Sequence, residues 1–182
     1  IALVGRGVEY KGKDDRNAVP VVMPKPKTGY VPGYAGVVRD QTVFTLPPDC
    51  WLATRSDLVG NPRQGEATGK PQILINMGRT ARYPWRIQAL LDNEGRRLKH
   101  NFAVIRPNTG GLNPLYLWAL LNSPVASAFV ASRTMRKHNY EGLLSDVPIP
   151  HADASDMDNV ASAASRYREL AFARAQTVKK QD

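Results

Sequence analysis

The sequence predicts an α/β chain of the α+β kind. A β-rich, loop-rich body that closes with short helices is expected over residues 1–150, and a single C-terminal helix over residues 151–182. Two observations lead there. Up to residue 111, short runs of β-formers alternate with Pro- and Gly-rich turns. Beyond it, the apolar residues recur at helical spacing. With 182 residues, 42% hydrophobic and 23% charged, the chain has ordinary globular composition and the length for one substantial core.

Short strands are expected at residues 19–23, 35–38, 43–46, 50–54 and 72–76, each bounded by Pro or Gly. The stretch PKPKTGYVPG, residues 24–33, holds three prolines and two glycines and reads as an ordered loop or arm. Residues 86–91 and 98–105 flank Asp92-Asn93-Glu94-Gly95, which reads as a β-hairpin with Gly95 supplying the positive φ. Leu115, Leu117, Trp118, Leu120 and Leu121 suit a short buried helix starting near Asn113 or Pro114. Ser123-Pro124, a hydroxyl cap followed by proline in the first turn, starts the next helix over residues 125–132. Residues 133–140 form a polar, basic connector, and Val147-Pro148-Ile149-Pro150 is extended. The final helix opens on acidic residues between Asp153 and Asp158 and runs to about Lys180. Its small residues Ala161, Ala164 and Ala171, with Met157, Tyr167 and Leu170, predict packing against another helix.

Charge narrows the function classes. Twenty-five Lys and Arg against sixteen Asp and Glu leave a net +9. Between Arg63 and Arg106 nine basic residues face three acidic ones, so +6 of that charge sits in about a quarter of the chain. Such an imbalance favours a polyanionic partner, nucleic acid before membrane, because no basic amphipathic helix of the lipid-binding kind is present. No apolar run approaches the ~20 residues of a membrane span. The single cysteine, Cys50, excludes an internal disulfide framework and a Cys-rich zinc site, and a cytoplasmic location is expected. Because the chain begins at Ile1 with no secretory signal, it is expected to be a piece of a longer protein.

Catalytic motifs are fragmentary. Asn113-Pro114-Leu115-Tyr116 approaches the Asn-Pro-Pro-Tyr motif that holds a flipped adenine, but Leu115 replaces the second proline and a helix follows, so Asn113 reads as a helix cap. Glu9-Tyr10-Lys11 with Asp49 reverses the common nuclease order. His100 and His138 are lone histidines in basic stretches, and Cys50 beside Trp51 reads as a small core residue. Neither a phosphate-cradling loop nor a glycine-rich loop for S-adenosylmethionine is present.

A larger pattern runs through KPQILIN at residues 70–76, RYPWR at 82–86, FAVIRP at 102–107, LWALLNSP at 117–124 and VPIP at 147–150 before a helix. Over roughly residues 70–180 this resembles the target recognition domain of restriction–modification systems. Such domains occur at the C-terminal end of TaqI-type and Type IIG adenine methyltransferases and in Type I specificity subunits. The first 69 residues match only loosely. The resemblance implies a non-catalytic module that reads double-stranded DNA. A separate catalytic methyltransferase domain or subunit would hold S-adenosylmethionine, so no cofactor or metal is expected in this chain.

DNA contacts are then expected from Arg79, Arg82, Tyr83 and Arg86 in the loop of residues 78–86. The second group is Arg133, Arg136, Lys137 and Asn139 in the basic connector, and the third is Lys11, Lys13 and Arg16. Arg82 is expected at a base edge, Arg79 and Arg86 at phosphates. Trp85 and Tyr83 suit the core or the DNA equally, whereas Trp51 and Trp118 are expected in the core. Two other classes compete: an RNA or single-strand binding module, and a protein-interaction domain that uses the final helix to dimerise.

Overall fold

The computed structural model describes residues 2–11, 19–38, 41–78, 85–108, 110–134, 138–139, 141–150 and 152–178. The fold is mixed α+β and strand-rich, with short helices. Its centre is β7 (Gln72–Asn76), QILIN, buried at every position. Antiparallel neighbours flank it: β8 (Ala89–Asp92) on one side, β10 (Phe102–Pro107) and then β1 (Ala2–Arg6) on the other. Side chains alternate through this sheet with period two. Ile73, Ile75, Ala89, Leu91, Ala103 and Ile105 join one core cluster. Leu74, Leu90, Phe102 and Val104 join another with Tyr34 and Leu98 on the opposite face. A strand covered on both faces has no polar side to show, which is why QILIN reads as a continuous apolar run.

The expected hairpin across Asp92–Gly95 does not form. Gly95 has the predicted positive φ, 61°. However, β7 inserts between β8 and β10, and the chain after the turn leaves the sheet as β9 (Arg97–Leu98). The second sheet has the order β3-β5-β4-β9, with β3 (Val22–Met23), β5 (Cys50–Ala53) and β4 (Tyr30–Tyr34) antiparallel, and β9 parallel to β4. Thus residues 30–33, expected in an irregular loop, form most of a strand. Pro32 is tolerated there because β9 reaches only Gly33 and Tyr34, leaving that stretch of β4 paired on one side. Gly33 is required at the crossing, since a Cβ would lie 2.3 Å from the Arg97 carbonyl oxygen. Residues 35–38 and 43–46 are not strands. Instead, Val43 and Phe44 pack on the helix side of the main sheet. A two-stranded ribbon, β2 (Glu9–Tyr10) with β6 (Val59–Asn61), completes the β structure.

The helices cover one face of the main sheet. In α1 (Pro114–Leu121) the Asn113 side chain accepts from the Leu115 N–H, and in α2 (Pro124–Arg133) Ser123 accepts from the Ala126 N–H. Both caps are as the sequence predicts. Asn122, where α1 ends, docks the helix on β8: its Oδ1 accepts from the Ala89 N–H and its Nδ2 donates to the Ala89 carbonyl, each at 3.0 Å. Trp118 Nε1 donates to the same carbonyl. The sequence did not suggest α3 (Glu141–Ser145), which places Leu144 in the core. Residues 147–150 carry no strand pairing, although Val147 and Ile149 pack on the core.

The last helix, α4 (Ala154–Val178), finds its partner inside the chain. It packs on α1, with Ala161 and Ala164 buried. The Arg168 guanidinium lies 5.5 Å from the Trp118 ring centroid, and burial lowers its pKa. Tyr167 and Leu170, by contrast, are each 61% exposed. Among the described residues no single helix is long and apolar enough to cross a membrane. Replacing Ala164 by Glu forces a carboxylate between α4 and α1. It should lower folding stability by roughly 2–4 kcal/mol in urea unfolding, against less than about 0.5 kcal/mol for Glu at exposed position 163.

Candidate nucleic-acid interface

One end of the main sheet gathers segments that are remote in sequence. Asn76 closes β7 there with its side chain turned inward: Nδ2 donates to the Gly78 carbonyl at 2.6 Å and Oδ1 accepts from the Gln88 N–H at 2.8 Å. Against it lies Asn139, fully buried. The Asn139 Nδ2 donates to the Asn76 carbonyl at 2.8 Å and the Arg86 carbonyl at 3.3 Å, while its Oδ1 accepts from Arg86 Nε at 3.0 Å. Its backbone N–H reaches the Met77 carbonyl, and an isolated antiparallel bridge joins Gly78 to His138. The Arg86 N–H in turn donates to Ser127 Oγ on α2. A single carboxamide thus binds the start and end of the 78–86 segment to the end of the 133–139 connector.

The clamp brings together Gly78, Arg86, His138 and Asn139, the described residues that flank the two basic segments in sequence. Arg133 ends α2, exposed, with its guanidinium 4.4 Å from the Phe129 ring centroid. Trp85 is 41% exposed beside the clamp, an aromatic surface where a buried one was equally expected. On the same edge Arg6, at the end of β1, donates to the His100 carbonyl. Lys11 is exposed at the end of the β2 ribbon, its N–H bonded to the Leu58 carbonyl.

Two expected DNA contacts take other parts in this arrangement. The amide of Asn139 is buried and engaged on three protein atoms, so it positions the segments and does not face a partner. Arg86 is half-buried, and part of its guanidinium holds Asn139 and the His138 carbonyl. Arg133 and Lys11 are exposed. Arg79, Arg82, Tyr83, Arg136, Lys137, Lys13 and Arg16 lie outside the described residues. Sequence reasoning passed over Ser127, Asn76 and Arg63, which build this edge. The Asn76 signal was a polar residue closing an otherwise apolar strand.

The opposite end of the sheet is a closed polar knot. Gln72 Nε2 donates to Asp92 and to the Arg96 carbonyl, and its Oε1 accepts from Arg106 Nε. Asp92 accepts the Glu94 and Arg96 N–H groups. Burial lowers the Arg106 pKa. Nearby, Arg97 is buried against Glu66 and Tyr10. The carboxylates once considered for a nuclease are each held by an arginine, Glu9 by Arg63 and Asp49 by Arg96. Cys50 donates to the Gly33 carbonyl, and burial pushes its thiol pKa up, away from the reactive thiolate. Trp51, expected in the core, is only half-buried. Tyr116 is buried and its hydroxyl reaches toward the Pro150 carbonyl, so it presents no ring for stacking a base. No group of three or more His, Cys, Asp or Glu able to hold a metal occurs among the described residues.

Removing the clamp should be costly. Asn139→Ala leaves the Asn76 and Arg86 carbonyls and the Arg86 Nε without their buried partner, and stability should fall by roughly 2–4 kcal/mol in urea unfolding. A change under about 0.5 kcal/mol would mean that the two segments are held by something else. Compared with known proteins, the chain matches no family model, no curated protein and no solved structure.

Proposed function

We propose that the chain recognises specific double-stranded DNA sequences as the non-catalytic specificity part of a restriction–modification adenine methyltransferase. One observation carries the reading most: the two basic segments singled out as reading loops are rooted on one clamp, 53 residues apart in sequence at Arg86 and Asn139. A duplex is wide and rigid, so a protein that reads it needs several loops fixed in register on one face. The edge adds Arg6, Lys11, Arg133 and the exposed Trp85, and the chain's +9 charge supplies the attraction to phosphate. Methyl transfer belongs, in this reading, to a separate domain that binds S-adenosylmethionine. The exposed Tyr167 and Leu170 of α4 offer that domain a contact surface away from the DNA edge.

Within the loops, Arg82 is assigned to a base edge and Arg79, Arg136 and Lys137 to phosphates. Arg86 holds the root of its loop and contributes charge from there. Binding to duplex DNA should be salt-dependent and stronger than binding to single strands of the same sequence. Changing a phosphate-contacting residue to Ala should lower the slope of log K against log salt by about 1 on every duplex. At a base contact, Arg82→Ala should cost roughly 1–3 kcal/mol on the preferred site and relax preference at that base pair. Equal affinity for single strands, or unchanged binding when Arg79, Arg82, Arg136 and Lys137 are all Ala, would sink the proposal.

A further inference from the structure

Arg63 is the one described non-glycine residue with positive φ, at 43°. That backbone state is uncommon for a long side chain and is held here by its surroundings. The Arg63 N–H donates to Asn61 Oδ1, Gln64 N–H bonds the Arg6 carbonyl, and Gly65 lies so close to the Gly7–Val8 peptide that a Cβ would be 2.0 Å from the Val8 nitrogen. These contacts fix the backbone turn from which the Arg63 side chain extends. Its guanidinium meets two carboxylates from distant parts of the chain, Glu9 at 3.2 Å and Glu141 at 3.4 Å. Glu9 lies two residues before Lys11, and Glu141 two after Asn139.

We infer that Arg63 is a positioning residue for the polyanion surface, resting on the duplex-DNA reading above. It straps Glu9, two residues before the exposed Lys11, to Glu141, two residues after Asn139, and so links Lys11 to the edge that the Asn139 clamp builds. It also offsets one of the two negative charges that Glu9 and Glu141 place there, which would otherwise repel phosphate more strongly. Arg63 does this without touching the DNA.

The test uses Arg63→Gly, because glycine accepts the positive φ and the backbone turn should survive. Without any nucleic acid, hydrogen exchange should speed up together at residues 9–11 and 141–145 in Arg63→Gly. Unchanged exchange at both would overturn the strap. With duplex DNA at low salt, Arg63→Gly should bind about five- to tenfold more weakly, because the Glu9 and Glu141 carboxylates lose their counter-charge. The loss should shrink as salt rises. Adding Glu9→Gln and Glu141→Gln to Arg63→Gly should restore most of the affinity, since the repelling charges are gone. No restoration, with a salt slope lowered by about 1, would make Arg63 a direct phosphate contact and overturn the proposal. If the unaltered chain binds no duplex, the DNA reading falls, and the exchange measurement still decides whether the strap exists.

Discussion

Burying β7 from end to end is the constraint on which the rest of the structure depends. A strand covered on both faces cannot leave a polar group without a partner, and β7 carries one amide side chain at each end. Gln72 and Asn76 are 0% and 2% exposed. Each must be answered by hydrogen bonds, and the answers organise opposite edges of the molecule. At Gln72 they come from Asp92, Arg106 and the turn at Arg96, and the result is a compact polar knot. At Asn76 the side chain is answered by the Gly78 carbonyl and the Gln88 N–H, while Asn139 answers the backbone carbonyl of the same residue, and the result draws Gly78, Arg86 and Asn139 together.

The two ends differ in what holds them. In the Gln72 knot the arginines are answered by carboxylates or carbonyls of the chain itself, as with Arg96 on Asp49 and Glu94. At the Asn76 end the described anchoring is done by the amides of Asn76 and Asn139 and the Ser127 hydroxyl, together with the Arg86 guanidinium. In the helix layer α2 offers Ser127 to the Arg86 N–H, while α1 packs on β7 and β8 and α4 on α1.

Local signals were legible in the sequence and long-range pairing was not. The Asn113 and Ser123 caps, the boundaries of β7 and the positive φ of Gly95 follow from one or a few adjacent residues, and each appears as expected. The hairpin failed because adjacency along the chain lost to the stronger apolar match of β7 with both β8 and β10. Pro32 suggested a loop because proline removes one ladder donor, and nothing local reveals that the neighbouring strand stops short of it. The small face of α4 was read correctly as a packing face, yet its partner proved to be α1 of the same chain. Asn139 was expected at a DNA contact because a polar residue in a basic stretch looks like a reader; its burial and its bonds to Asn76 and Arg86 are long-range features that the sequence does not show.

The central claim is that duplex DNA lies on the Asn76 end of the sheet. Hydrogen exchange of the chain with and without a bound duplex tests it directly. The account predicts new protection at residues 78–86 and 133–139, with a smaller effect at residues 11–16, and none at the Gln72 knot of residues 66–72 and 92–97. Protection concentrated at that knot or along the exposed face of α4, with residues 78–86 unchanged, would contradict it.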